Sequence, residues 1–156
     1  MVGEELNGGK TEVIGNQIKE VKTQYNLKPG LFREQPNYCQ LVHGIETLWW
    51  LKSNPASNFR LAETSTYDDH GNLLTHKAVT GIEEAYEWYG AQAPGFPGHE
   101  EGFVTYLKVK TQKPAPGNPG TAPERTTHYT YQQLPTLTSA QSQTQQQHWL
   151  EVDVET

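Results

Sequence analysis

Tyr67-Asp68-Asp69-His70-Gly71-Asn72-Leu73-Leu74, followed by Gly81 and then by Tyr86-Glu87-Trp88-Tyr89, decides how this chain is read. Tyr67 ends an alternating run. Asp68, Asp69, Gly71 and Asn72 are residues that accept positive φ or bond their own backbone in a tight turn. Leu73 and Leu74 restart an extended strand. Gly81 follows after about one strand length, and the next strand places Ile82, Tyr86 and Trp88 on one face with Glu83 and Glu87 beside them. Two reversals at strand-length spacing predict a meander of antiparallel hairpins.

The same reading extends in both directions. Thr11 to Ile14 and Ile18 to Tyr25 read as two strands around Gly15-Asn16-Gln17, and Lys28-Pro29-Gly30 closes that unit. His43 to Leu51 is apolar on both of its faces (Ile45, Trp49 and Leu51; Leu48 and Trp50), so it is expected to be a strand covered on both sides and the centre of the core. Asn54 to Asn58 is expected to turn the chain into a strand from Phe59 to Tyr67, and Ala91 to Gly102 reads as a loop. An exposed Pro/Gly-rich loop is expected over 112–124, because its prolines remove donors and fix φ. A Gln-rich loop is expected over 138–147, with a short helix as the other reading. Leu150, Val152 and Val154 alternate with acids in a last strand. The expected fold is all-β, an extended twisted sheet of antiparallel hairpins with little helix.

The order Tyr-Asp-x-x-Gly-Asn-Leu, a gap, Gly, then Tyr-x-aromatic resembles the YD repeat of RHS proteins. Three further segments, Gln35 to Leu41, Gly102 to Thr111 and His128 to Pro135, resemble in the same order the RHS-repeat region of the B and C subunits of bacterial insecticidal toxin complexes. The likeness covers roughly residues 20 to 156. It implies a ribbon of hairpins in which strand-end aromatics stack, forming part of a hollow shell that encloses a toxic polypeptide. The repeat-motif residues carried over are Tyr67, Asp68, Gly71, Asn72, Leu73, Gly81, Tyr86 and Trp88. Departures are visible: Trp88 is followed by Tyr89 and Tyr131 by Gln132 where a consensus repeat has Asp, and the family's self-cleaving core and variable toxic domain are not in this sequence. The resemblance implies that 1–156 is a single segment of a larger shell, that its partners are neighbouring repeats or toxin-complex subunits, with self-association a further expectation, and that it serves virulence.

Composition agrees with a thin core. Only 34% of the residues are hydrophobic, against about 45–50% in an ordinary globular domain, and 14 Gly and 10 Pro spread turn chemistry along the 156 residues. Thr, Tyr, Trp and Val, the β-forming set, dominate the rest. A net charge of -6 with dispersed basic residues argues against nucleic acid as a partner. Cys39 is alone and is expected to pack as a small apolar residue. No signal-peptide core or membrane span is legible, so the chain is expected to be cytoplasmic as written, or extracellular if released within a toxin complex.

Chemistry is hard to anchor. The six histidines share no ligand spacing, and His99-Glu100-Glu101-Gly102-Phe103 has Phe where a zinc-protease motif needs its second His. Asp68 and Asp69 are accounted for as turn formers. No nucleophile elbow, phosphate loop or dinucleotide fingerprint is present. The expectation is therefore a non-enzymatic structural segment with no metal or cofactor. The alternative is a carbohydrate or cell-surface binding module that stacks sugars on Trp49, Trp50, Trp88, Tyr89 and Trp149, and the burial of those aromatics separates the two readings.

Overall fold

The structure, a computed structural model, describes residues 8–94, 102, 104–117, 122–134 and 148–155, with side chains described except at 132–134 and 148–155. It is all-β. Nine strands follow one another as β1 (Gly8–Ile14), β2 (Gln17–Tyr25), β3 (Val42–Leu51), β4 (Asn54–Tyr67), β5 (Leu73–Lys77), β6 (Glu83–Trp88), β7 (Leu107–Lys113), β8 (Arg125–Leu134) and β9 (His148–Glu155). They form one sheet whose spatial order is the sequence order, every neighbouring pair is antiparallel, and among the described residues β1 and β9 are its two edges. The one helical element among the described residues is a short 3₁₀ turn, Phe32–Glu34, in the β2–β3 connection.

Local chemistry explains the reversals. Gly15 at φ 59° stands first in the two-residue β1–β2 loop and Asn16 after it does not have positive φ, which is the type II′ pattern. The β4–β5 and β5–β6 reversals share one geometry. In the first, Asp68 N–H donates to the Asn72 carbonyl and Gly71 N–H to the Asp68 carbonyl; in the second, Ala78 N–H donates to Ile82 and Gly81 N–H to Ala78. Gly71 and Gly81 both sit at φ 86°, where a Cβ is strained. The meander read from this stretch is present, with its two reversals at Gly71 and Gly81.

Two expectations about β3 and β4 are corrected. The turn between them is Lys52–Ser53, and Asn54 to Asn58 lies within β4, where residues 55–57 bulge out because Trp50 pairs with Asn58 while Leu51 pairs with Asn54. Asn-Pro punctuation was satisfied by a bulge rather than by the reversal. Nor is β3 covered on both sides: it has β2 and β4 beside it and most of its residues are only half-buried. Both of its apolar faces remain half-buried within the one described sheet.

Core packing is correspondingly slight. Among the described apolar residues only Cys39, Tyr89 and Val109 are buried, while Val13, Ile14, Leu31, Phe32, Leu51, Phe59 and Val79 are exposed. The accessible surface is 11385 Å², where a compact monomer of this mass would expose roughly 8,000 Å². Stability must then rest on ladder hydrogen bonds and cross-strand pairs more than on a packed interior. From Leu61 to Tyr67 in β4 and along β6, half-buried and exposed residues alternate, so one face, carrying Glu63, Ser65, Tyr67, Glu84, Tyr86 and Trp88, is the better covered of the two.

The segment expected as an exposed loop begins inside β7, which runs to Lys113, and then turns back: Pro114 and Ala115 are half-buried. An ideal Cβ on Gly81 would meet Pro116 Cδ at 3.1 Å and Ala115 Cβ at 3.4 Å, so this segment is laid against the β5–β6 turn. Residues 118–121, the Gln-rich 138–147 stretch and residues 95–101 of the Ala91–Gly102 loop lie outside the described residues.

Candidate functional site

A repeated device runs along one end of the sheet. Going from β2 to β3, from β4 to β5, from β6 to β7 and from β8 to β9, the register slips once, beside Tyr25, Tyr67, Trp88 and Tyr131 respectively. Each slip leaves one extra residue on the odd-numbered strand: His43, Leu74, Lys108 and Val152. Tyr25, Tyr67 and Trp88 are the last residues of their strands. The four junctions therefore share an aromatic facing a β-bulge, which bends the strand and raises local twist. Aromatic spacing was legible in the sequence; the bulge opposite it was not, because it resides on the partner strand.

Hydrogen bonds fix these aromatics. Tyr67 OH donates to the Val42 carbonyl at 3.1 Å and Trp88 Nε1 to the Leu73 carbonyl at 2.8 Å, so each reaches the first residue of an adjacent strand. Tyr89 OH donates to the Tyr129 carbonyl at 3.0 Å and its ring meets Tyr131 edge-on at 6.0 Å, while Tyr106 meets Tyr131 at 5.0 Å. Edge-to-face contacts of this kind add about 0.5–1.5 kcal/mol beyond burial.

Asp68 organises the β4–β5 turn. Its Oδ1 accepts the amides of His70 and Asn72, and its Oδ2 accepts Asn72 Nδ2, which also donates to the Val104 carbonyl. Partial burial pushes the Asp68 carboxyl up, but the hydrogen bonds from Asn72 and His70 outweigh it, and the net shift is downward. Asn72 thus ties the turn to the segment entering β7.

Sequence reasoning missed a polar cluster on the better covered face. Glu84 Oε1 accepts Lys110 Nζ at 2.8 Å and Gln112 Nε2 at 3.1 Å, and Oε2 accepts Tyr86 OH at 2.7 Å. The bond from Lys110 and then that from Tyr86 hold the Glu84 carboxyl below its usual range, and the Glu84 bond raises Lys110. Lys110 also lies 5.5 Å over the Tyr86 ring. Nearby, Ser65 Oγ and His76 Nδ1 are 3.1 Å apart, and His43 Nδ1 is 2.8 Å from the Ser65 carbonyl. Only the β6–β7 register unites Glu84 with Lys110, so no local pattern announces the pair.

The five aromatics considered for sugar stacking do not gather. Trp49 and Trp50 are consecutive in β3 and point to opposite faces, and both lie toward the turn end of the sheet, away from Trp88. Tyr89 is buried, and the Trp149 side chain is outside the described residues, although its backbone lies in β9. What remains is Trp49 against the exposed Phe59, ring centres 5.7 Å apart. A cavity of about 300 Å³ lined by Ile82, Pro114, Ala115 and Pro123 among others is the space beneath the folded-back proline segment. Among the described residues no three His, Cys, Asp or Glu side chains converge as a metal site, and no helix is long and apolar enough to cross a membrane. The chain matches no protein-family model, no curated protein and no solved structure.

Proposed function

We propose that this chain is a non-enzymatic structural segment of an RHS-type repeat shell, of the kind that encloses a toxic polypeptide in insecticidal toxin complexes. The observation carrying this reading is the recurrence, at all four even-to-odd strand junctions, of an aromatic facing a bulge. Recurrence at fixed places in consecutive hairpins is what a repeat ribbon requires, and bulges supply the curvature by which a single sheet wraps an interior. Supporting it are the strictly sequential strand order, the two open edges and the scarcity of buried apolar side chains. The repeat residues Tyr67, Asp68, Gly71, Asn72, Leu73, Gly81 and Trp88 serve as turn formers and strand-end clamps, whereas Tyr86 belongs to the Glu84 cluster.

The test is co-expression of this chain with the polypeptide encoded immediately downstream of it, followed by limited proteolysis. A shell segment associates with that polypeptide and shields it. If the two products separate on a column and are cleaved at the same rates together as alone, the reading fails. The glycan-binding alternative retains one specific support, the exposed Phe59 against the half-buried Trp49. A glycan array on which Trp49→Ala and the parent chain are both blank disposes of it.

A further inference from the structure

The edge strand β1, Gly8-Gly9-Lys10-Thr11-Glu12-Val13-Ile14, is complementary to itself. Laid antiparallel against a second copy about Thr11, it places Lys10 opposite Glu12 of the other copy, Glu12 opposite Lys10, and the side-chain-free Gly9 and Gly8 opposite Val13 and Ile14. We propose that β1 is a homodimerisation strand and that its occupant is a second copy of this chain, related by a two-fold axis through Thr11. The inference stands on the geometry of β1 and not on the shell reading.

Backbone direction favours it. Lys52 N–H donates to the Asn16 carbonyl at 2.9 Å, the bond that flanks a non-hydrogen-bonded Gln17–Leu51 pair, so Gln17 exchanges its own bonds with Ile14. Alternation along β1 then turns Glu12 and Lys10 toward β2 and leaves the N–H and C=O groups of Gly9, Thr11 and Val13 facing outward. The self-pairing uses those outward groups, with Thr11 meeting Thr11 of the other copy as a hydrogen-bonded pair and Val13 exchanging bonds with Gly9.

The side chains agree with the backbone. Lys10 and Glu12 lie on one face, are joined at 2.7 Å, and have side chains that are 76% and 41% exposed. The dimer would turn this pair into a square of alternating charges, each opposite-sign neighbour being favourable in a sheet. Val13 and Ile14 are 57% and 66% exposed in one copy. A Cβ on Gly8 would meet nothing within 4 Å and one on Gly9 only the Val21 carbonyl at 3.9 Å, so there is open room over both glycines for those apolar side chains. The other edge is poorly suited to the same arrangement. A two-fold at Val152 of β9 (HWLEVDVE) would set Glu151 opposite Asp153.

Charge exchange tests the register. Size-exclusion chromatography with light scattering over a concentration series should show the parent chain passing from monomer to dimer. Lys10→Glu alone and Glu12→Lys alone each put like charges opposite one another and should weaken dimerisation at least about tenfold, from two reversed pairs. An equimolar mixture of the two variants, and the doubly exchanged chain, should dimerise again. Thr11→Pro removes only an outward donor, a placement tolerated on an edge strand, and should be monomeric with the parent's circular dichroism. A parent that stays monomeric throughout, or one that dimerises with single variants indistinguishable from it, overturns the proposal. So does a mixture that fails to recover association while both variants keep the parent's circular dichroism.

Discussion

Gly71 and Gly81 occupy the same backbone state at φ 86°, yet their surroundings differ. A Cβ on Gly71 would meet Leu41 Cδ1 at 3.7 Å and Tyr38 Cβ at 3.9 Å, both ordinary contacts, so the φ strain is the main cost of placing a Cβ there. On Gly81 it would press on Pro116 at 3.1 Å as well. Gly71→Val is expected to cost about 1–3 kcal/mol, and Gly81→Val more, with the order read from denaturant midpoints. An unchanged midpoint for Gly71→Val would remove the turn assignment. Asp68 gives a pH signature at the same scale. Its carboxyl titrates below its usual value in the folded chain, so its contribution is present above the unfolded value, roughly pH 4, and is lost as pH falls through the lower folded one. Stability should therefore drop on acidification, and Asp68→Asn should flatten that drop in a series of melts from neutral to acid pH.

At the scale of elements, each strand pair is held by its ladder plus a few side-chain clamps. Trp88 Nε1 to the Leu73 carbonyl is the clamp between β6 and the start of β5, and Tyr67 OH to the Val42 carbonyl that between β4 and β3. Trp88→Phe and Tyr67→Phe keep most of the aromatic area and remove one hydrogen bond each, which predicts losses of about 1 kcal/mol apiece. The two bonds share no partner, so the double variant should lose close to the sum. A double variant no less stable than either single one would show that the clamps do not act independently.

For the molecule as a whole, a single layer with two edges should not unfold from everywhere alike. β3 carries the two longest ladders, to β2 and to β4, whereas among the described residues β1 is paired on one side only. Amide exchange should be slowest in β3 and β4 and fast for the outward amides of Gly9, Thr11 and Val13 at low protein concentration. Uniform slow exchange across all strands would mean a closed and cooperative domain instead.

Turn chemistry and alternation are local, so the sequence alone determined the hairpin from Thr11 to Tyr25, the paired reversals at Gly71 and Gly81 and the all-β class: a positive φ or a period of two is written within a few residues. It misplaced the β3–β4 turn because Asn54-Pro55 suits a bulge as well as a reversal. It also took the apolar faces of β3 for a sandwiched core, since the pattern records that a residue avoids water but not what stands over it. Only the tertiary structure decided the register. Glu84 with Lys110, the bulges facing Tyr25, Tyr67, Trp88 and Tyr131, and the separation of Trp49 and Trp50 from Trp88 all depend on which residue lies across the ladder, where a slip of one position exchanges the faces.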